Sequence, residues 1–206
     1  MRGLMQDVPL TIDTIFRHAE QHHGLVPIVT DGPAGRSRST YAEWAERTRR
    51  LGGVLDTLGI SADGRVGTLG WNSQRHLELY FAAPSTGRVL HTLNIRLFPE
   101  QLTYTANHAE DEVVFVDRSL LPLLWPLVDT MKTVRHVVVM DDGGDNEIPD
   151  DPRVSDYETL LAGAQPVDFG VTDENSAAYM CYTSGTTGNP KGVVYSHRST
   201  WLHTMG

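Results

Sequence analysis

The apolar runs Val113-Val114-Phe115-Val116 and Val137-Val138-Val139 constrain the fold most. Neither alternates with polar residues, so neither suits a strand with one wet face. Both need cover on two sides, the situation of strands inside a parallel sheet with helices on each face. Helical signals are interleaved with such runs. Thr11 stands as an N-cap before Ile12, Ile15, Phe16 and Ala19, whose spacing predicts a helix to about Gln21. Thr40 and Glu43 form a capping box and open a helix with Tyr41, Trp44, Ala45, Thr48, Leu51 and Leu55 on its apolar face, stopped at Gly59. Gly52-Gly53 weakens that helix and implies close packing there. Further helices are expected from Gln74 to Ala83 behind Asn72 or Ser73, from Pro99 to about His108, around Leu120 to Met131, and over Asp156 to Leu161. Strands are expected at Leu25–Val29, Arg65–Leu69 and Val89–Thr92, with Gly32–Ser39 a polar turn. The alternation predicts an α/β fold with a mostly parallel sheet flanked by helices.

Composition narrows the function classes. The net charge of −9 argues against nucleic acid as a partner, because binding a phosphate backbone needs a basic surface. A single cysteine, Cys181, excludes an intrachain disulfide and reads as a small core residue in a reducing compartment. No stretch reaches the ~20 apolar residues of a membrane-spanning helix, and the first residues lack a signal-peptide core, so a cytoplasmic location is the default expectation. Residues 141–153 are acidic and rich in Gly and Pro; they lack the alternating ligands and distal Glu of a calcium loop and read as a solvated loop. The nine histidines show no metal-site spacing. Asp111 and Glu112 are adjacent, hence on opposite faces of a strand and a poor acid/base pair. His197 is the one histidine placed near the loop described next, and capping or packing is favoured over chemistry as its role.

That loop is Tyr182-Thr183-Ser184-Gly185-Thr186-Thr187-Gly188-Asn189-Pro190-Lys191-Gly192, directly after the apolar run Ala177–Tyr182. It holds four aliphatic hydroxyls, three glycines and a lysine, where an ordinary turn needs two or three such residues. Glycines permit tight turns and close backbone approach. Successive N–H groups in such a turn form a nest for anionic oxygens, and Lys191 adds a mobile point charge. The stretch therefore reads as a polyphosphate cradle. It is not a P-loop: Pro190 stands where the second glycine should be, and Val193-Val194-Tyr195 continues as a strand rather than a helix.

The run Thr183 to Gly192 resembles the phosphate loop of the adenylate-forming superfamily of acyl-CoA synthetases, peptide-synthetase adenylation domains and luciferases. The likeness extends upstream. Trp71-Asn72-Ser73, Tyr80-Phe81-Ala82, Gly87, His91 to Leu97 and Asn107 to Asp111 look like the N-terminal region of bacterial fatty-acyl-CoA synthetases, and Gly192 to Arg198 fits the same group. Arg88, after Gly87, departs from the family's small residue, and Pro84 interrupts the helix there.

The resemblance implies the N-terminal subdomain of the adenylate-forming fold over 1–206, with a phosphate-loop hairpin and the start of the next helix at 175–206. It implies that Thr183, Ser184, Gly185, Thr186, Thr187, Gly188 and Lys191 hold the phosphates of ATP, with Thr183 also ligating Mg2+ and Thr183 and Lys191 serving catalysis. The implied activity is conversion of a medium- or long-chain fatty acid to an acyl-adenylate and then to acyl-coenzyme A. Relatives continue past this point with a Tyr-Gly-x-Thr-Glu stretch, a ribose-binding aspartate and a mobile C-terminal lid carrying a catalytic lysine. The expectation is therefore an incomplete catalyst, inactive alone. Two alternatives stay open: a non-catalytic nucleotide-binding or self-associating module, a homodimer included, and an aryl-acid or amino-acid adenylating enzyme.

Overall fold

The runs predicted as buried strands are interior strands of one large sheet in the computed structural model, which describes residues 1, 3–32, 35–183 and 188–206. Its strands are β3 (Arg65–Leu69), β4 (Val89–Thr92), β5 (Asp111–Asp117), β6 (His136–Met140), β7 (Val154–Asp156), β8 (Ala177–Thr183) and β9 (Lys191–Ser196), in the order β7-β6-β5-β3-β4-β8-β9. Every pairing is parallel except β8 with β9. A separate antiparallel pair, β1 (Pro27–Gly32) and β2 (Gly35–Thr40), precedes it.

Helices cover both faces, as the apolar strands demand. On one side α2 (Tyr41–Thr57), α3 (Gln74–Ser85) and α6 (Tyr157–Gly163) bury Leu51, Leu55, Leu79, Ala83 and Leu161 against Val66, Leu90, Phe115 and Val138. On the other, α4 (Pro99–Ala109) and the short α5 (Leu121–Leu124) bury Leu102, Ala106, Leu121 and Leu124 against Val114, Val116, Val137 and Val139. Each of these Leu, Val and Phe side chains contributes about 1.5–3 kcal/mol on leaving water, and the alanines less. A third cluster joins α1 (Ile12–His22) to α2: Phe16 packs tilted against Trp44 and edge-to-face against Phe169, each 4.9 Å away between ring centroids.

Local signals are realised closely. Thr40 and Glu43 close the capping box on α2, Ser73 accepts from the His76 N–H at the start of α3, and Pro99 opens α4. The Gly52-Gly53 pair sits beneath the segment that follows α6: a Cβ at 53 would lie 2.1 Å from the Gln165 carbonyl oxygen. Pro84 falls in the last turn of α3, which runs through it to Ser85. Arg88 lays its buried guanidinium on the Ile60 carbonyl at 2.9 Å and on Asp56 at 2.7 Å, so the large residue is accommodated by a satisfied hydrogen-bond set.

Three sequence expectations need correction, and one strand goes unforeseen. The polar turn at Gly32–Ser39 is largely strand β2, whose Gly-Arg-Ser-Arg-Ser-Thr sequence carries no apolar alternation because most of it is exposed. The helix expected over Leu120–Met131 is broken into 3₁₀ turns around the four-residue α5, since Pro122 and Pro126 remove backbone donors. β7 was not anticipated; it is three residues of middling burial. Cys181 is half-buried rather than in the core, its Sγ 4.0 Å from the Tyr195 hydroxyl.

Candidate functional site

β8 runs parallel to β4, so its end at Thr183 lies with the carboxyl ends of the parallel strands, where open α/β sheets place their ligands. β9 returns antiparallel, and Thr183 and Lys191 form the last register pair of the ladder. They are the two exposed posts of the loop mouth. Ser184, Gly185, Thr186 and Thr187 lie outside the described residues. Of the remaining loop residues, Gly188 has φ +104°, a backbone state that side chains disfavour, and Pro190 is buried.

On the side of the sheet that carries Thr183, Cys181 and Tyr179, a cleft of about 590 Å³ opens between α3 and α7 (His197–His203). Tyr80, Thr92, Tyr179, Cys181, Tyr195 and Thr200 line it. The Tyr179 hydroxyl donates to the Tyr80 carbonyl at 2.7 Å, and burial pushes its ionisation well upward.

Tyr182 points to the opposite side. Its hydroxyl is 2.6 Å from Nδ1 of His108 on α4, and its ring centroid is 5.1 Å from that of His91 on β4. Burial pushes the phenol up to about 12, so it stays protonated while it shares this hydrogen bond with His108. His91 is buried, with Nδ1 2.9 Å from both carboxylate oxygens of the buried Asp111. Burial raises the Asp111 pKa, and the His91 hydrogen bond opposes that rise.

Asp111 reaches His91 because of a bulge. Arg65 pairs with Asp111, but Val66 pairs with Val113, which leaves Glu112 as the extra residue. Asp111 thereby shares a face with Gly67, whose absent Cβ would lie 3.1 Å from its Oδ2. Glu112 instead binds Arg135 and the Ser61 N–H. The expectation that Asp111 and Glu112 do not work as a pair is met; the partner of Asp111 is a histidine two strands away, which no local sequence signal reveals.

A second crevice lies outside the ends of β3 and β5, whose connections leave in opposite directions. There Asp117 Oδ2 accepts from the Trp71 N–H at 2.6 Å, and the indole N–H of Trp71 donates to Ser119 at 2.9 Å. Burial lifts Asp117 to about 6, with Asp142 nearby adding to the rise.

His197 does not face the loop. It is buried against α1, where its Nδ1 accepts the Ile12 N–H at 3.2 Å, and burial lowers its pKa. Thr11 makes no side-chain cap, so the histidine supplies an acceptor at that helix end. Its role is structural. Among the described residues no group of three or more His, Cys, Asp or Glu is arranged to hold a metal ion, and no helix is long and apolar enough to cross a membrane.

Comparison with known proteins follows the same lines. A 3-methylmercaptopropionyl-CoA ligase of Ruegeria lacuscaerulensis is 45% identical over 100% of this chain, and a medium-chain-fatty-acid–CoA ligase of Ectopseudomonas oleovorans is 42% identical over 100% of it. In both cases the chain spans 38% of the relative's length. The crystal structure of the anthranilate CoA ligase AuaEII in complex with anthranoyl-AMP superposes with a TM-score of 0.82 at 20% identity, over 96% of this chain and 37% of that one, which establishes the shared fold. Residues 15–205 match the family described as AMP-binding enzyme, and the chain belongs to that family.

Proposed function

We propose that this chain supplies the triphosphate-holding part of an AMP-forming acid–CoA ligase. The observation that carries the reading is the β8–β9 pairing: Thr183 and Lys191 stand opposite each other at the carboxyl end of a parallel sheet and flank, in sequence, a glycine- and hydroxyl-rich stretch. In the reaction a carboxylate oxygen attacks the α-phosphorus of ATP and pyrophosphate leaves. The thiol of coenzyme A then forms the C–S bond, losing its proton as AMP departs. No protein nucleophile is required, and the chain contributes by positioning and charge stabilisation.

Lys191 offsets charge on the β- and γ-phosphates, and the hydroxyls and amides of the run from Thr183 to Gly188 are proposed to bind them. Mg2+ fits the arrangement, because it keeps several waters and takes few protein ligands. The exposed Thr183 hydroxyl at the mouth is such a ligand, and the ion would neutralise phosphate charge. The relatives' names support an aliphatic carboxylic acid as substrate, a medium- or long-chain fatty acid first, and the cleft beside Tyr80 and Tyr179 offers an apolar wall for part of it. An aryl-acid or amino-acid substrate would share the loop. The single cysteine fits a cytoplasmic setting.

By itself the chain is proposed to bind nucleotide without turnover. Calorimetry with Mg-ATP, and carboxylate-dependent ATP–pyrophosphate exchange, test this. Binding without exchange is expected; absence of binding overturns the phosphate reading, and robust exchange overturns the inactivity. A self-associating module is favoured by one feature, the exposure of Val194 and Tyr195 on β9, Leu202 on α7 and Met205 just after it. Sedimentation of a stable dimer would support it.

A further inference from the structure

The phosphate reading concerns residues from Thr183 onward, yet the most elaborate polar arrangement near the loop lies just before it, on the opposite face. Asp111 of β5, His91 of β4 and Tyr182 of β8 form a line across the sheet that ends on His108 of α4. Two glycines clear its path. Gly67 leaves room for the Asp111 carboxylate over β3, and a Cβ on Gly192 would lie 3.2 Å from the Tyr182 ring. The bulge at Glu112 turns Asp111 onto this face. Tyr104 stacks on His108, with centroids 5.3 Å apart and planes 22° apart, which holds the imidazole that bonds the phenol.

We propose that Asp111, His91 and His108 are positioning residues that clamp Tyr182 and, through it, set the separation and direction of the Thr183–Lys191 mouth. The proposal rests on the phosphate-loop reading but concerns different residues. Tyr182 adjoins Thr183 in sequence, and the glycine its ring covers adjoins Lys191, so one ring is tied to both posts. The Asp111–His91 pair is buried and serves as the fixed end; the His108 bond limits rotation of the phenol. None of these groups touches the nucleotide in this scheme, and none transfers a proton to it.

The test uses the 206-residue chain with Tyr182→Phe, His108→Ala, the double variant and His108→Asn, whose amide oxygen can replace Nδ1 as acceptor. His91→Asn keeps a donor toward Asp111 and removes the ring beside Tyr182. Mg-ATP affinity by calorimetry is the first readout; the thermal midpoint and amide exchange of the β8 and β9 peptides are the others. Tyr182→Phe and His108→Ala should each weaken binding about threefold to tenfold, the scale of one hydrogen bond. The double variant should be no weaker than the worse single, His108→Asn should recover affinity, and His91→Asn should weaken binding with its midpoint within about 3 °C of the parent. Additive losses, or unchanged affinity in both single variants, overturn the clamp. If the parent chain binds no nucleotide, the phosphate reading fails separately. The clamp is then judged on exchange: faster exchange of β8 and β9 in both singles supports it, and unchanged exchange overturns it.

Discussion

Thr183 and Lys191 are direct partners in the β8–β9 ladder, so one hydroxyl and one ammonium enter the loop mouth from opposite strands. Their contributions should differ. A hydrogen bond to a charged oxygen is worth about 1.5–3 kcal/mol, whereas a lysine about 4 Å from a phosphate charge gains about 4 kcal/mol at an effective dielectric near 20, before desolvation. Lys191→Ala is expected to weaken Mg-ATP binding at least about tenfold and Thr183→Val by less, with both thermal midpoints unchanged because both residues are exposed. Calorimetric titration of the two variants checks the order; equal affinity of Lys191→Ala and parent would remove the lysine from the site.

A partly buried ion network sits away from the loop. Glu78 of α3 is fully buried; it holds Arg47 of α2 at 2.6 Å and accepts the Tyr157 hydroxyl of α6. Arg47 also binds Glu158 at 2.8 Å. Removing one partner of a buried pair leaves the other uncompensated, at a cost of about 3–5 kcal/mol. Glu78→Ala should lose stability on that scale in urea titration, and a loss below about 1 kcal/mol would mean that water replaces the carboxylate.

Gly53→Ala should be more damaging than its surface chemistry suggests. The added methyl would meet the Gln165 carbonyl oxygen at 2.1 Å, a backbone atom that cannot swing aside. Overpacking of this sort costs about 1–3 kcal/mol or more, which for a chain of this length lowers the midpoint by several degrees. Differential scanning calorimetry reads it directly. An unchanged midpoint would show that the segment after α6 relaxes freely.

Asp117 makes stability depend on pH in a particular direction. Its folded pKa, near 6, lies above the unfolded value of about 3.9, so the native state holds the proton more tightly between these limits. Its contribution is therefore most favourable below about pH 4 and is lost as pH rises through about 6. Asp117→Asn, which keeps an acceptor for the Trp71 N–H, should gain stability relative to the parent across that interval. Denaturation curves at pH 4.5 and 7 decide it; a constant difference between the two proteins would assign the pH dependence elsewhere.

Much of this architecture is legible along the chain, because the deciding signals are local. The capping box at Thr40, the proline at the head of α4 and the unbroken valine runs of β5 and β6 each fix an element within a few residues. β2 is hidden because both its faces are polar and largely exposed, leaving no period to detect. The prolines at 122 and 126 permit a helical reading but force the chain into short turns. At the candidate site, the loop is visible as composition, while the Asp111–His91 contact depends on a strand order that places β3 between β5 and β4. His197 is a milder case: its residue type and position favour capping or packing, but the partner, the start of α1, is far away in sequence.

The vacancy at Gly67 has a bearing on alignment of the whole sheet. A shift of β3 by two positions would bring Arg65 or Leu69 into the space the Asp111 carboxylate fills, and a shift by one would turn its apolar side chains to the wrong layer. The smallest residue of the central strand thus works as a notch, accepting one setting of its neighbours and rejecting the adjacent ones.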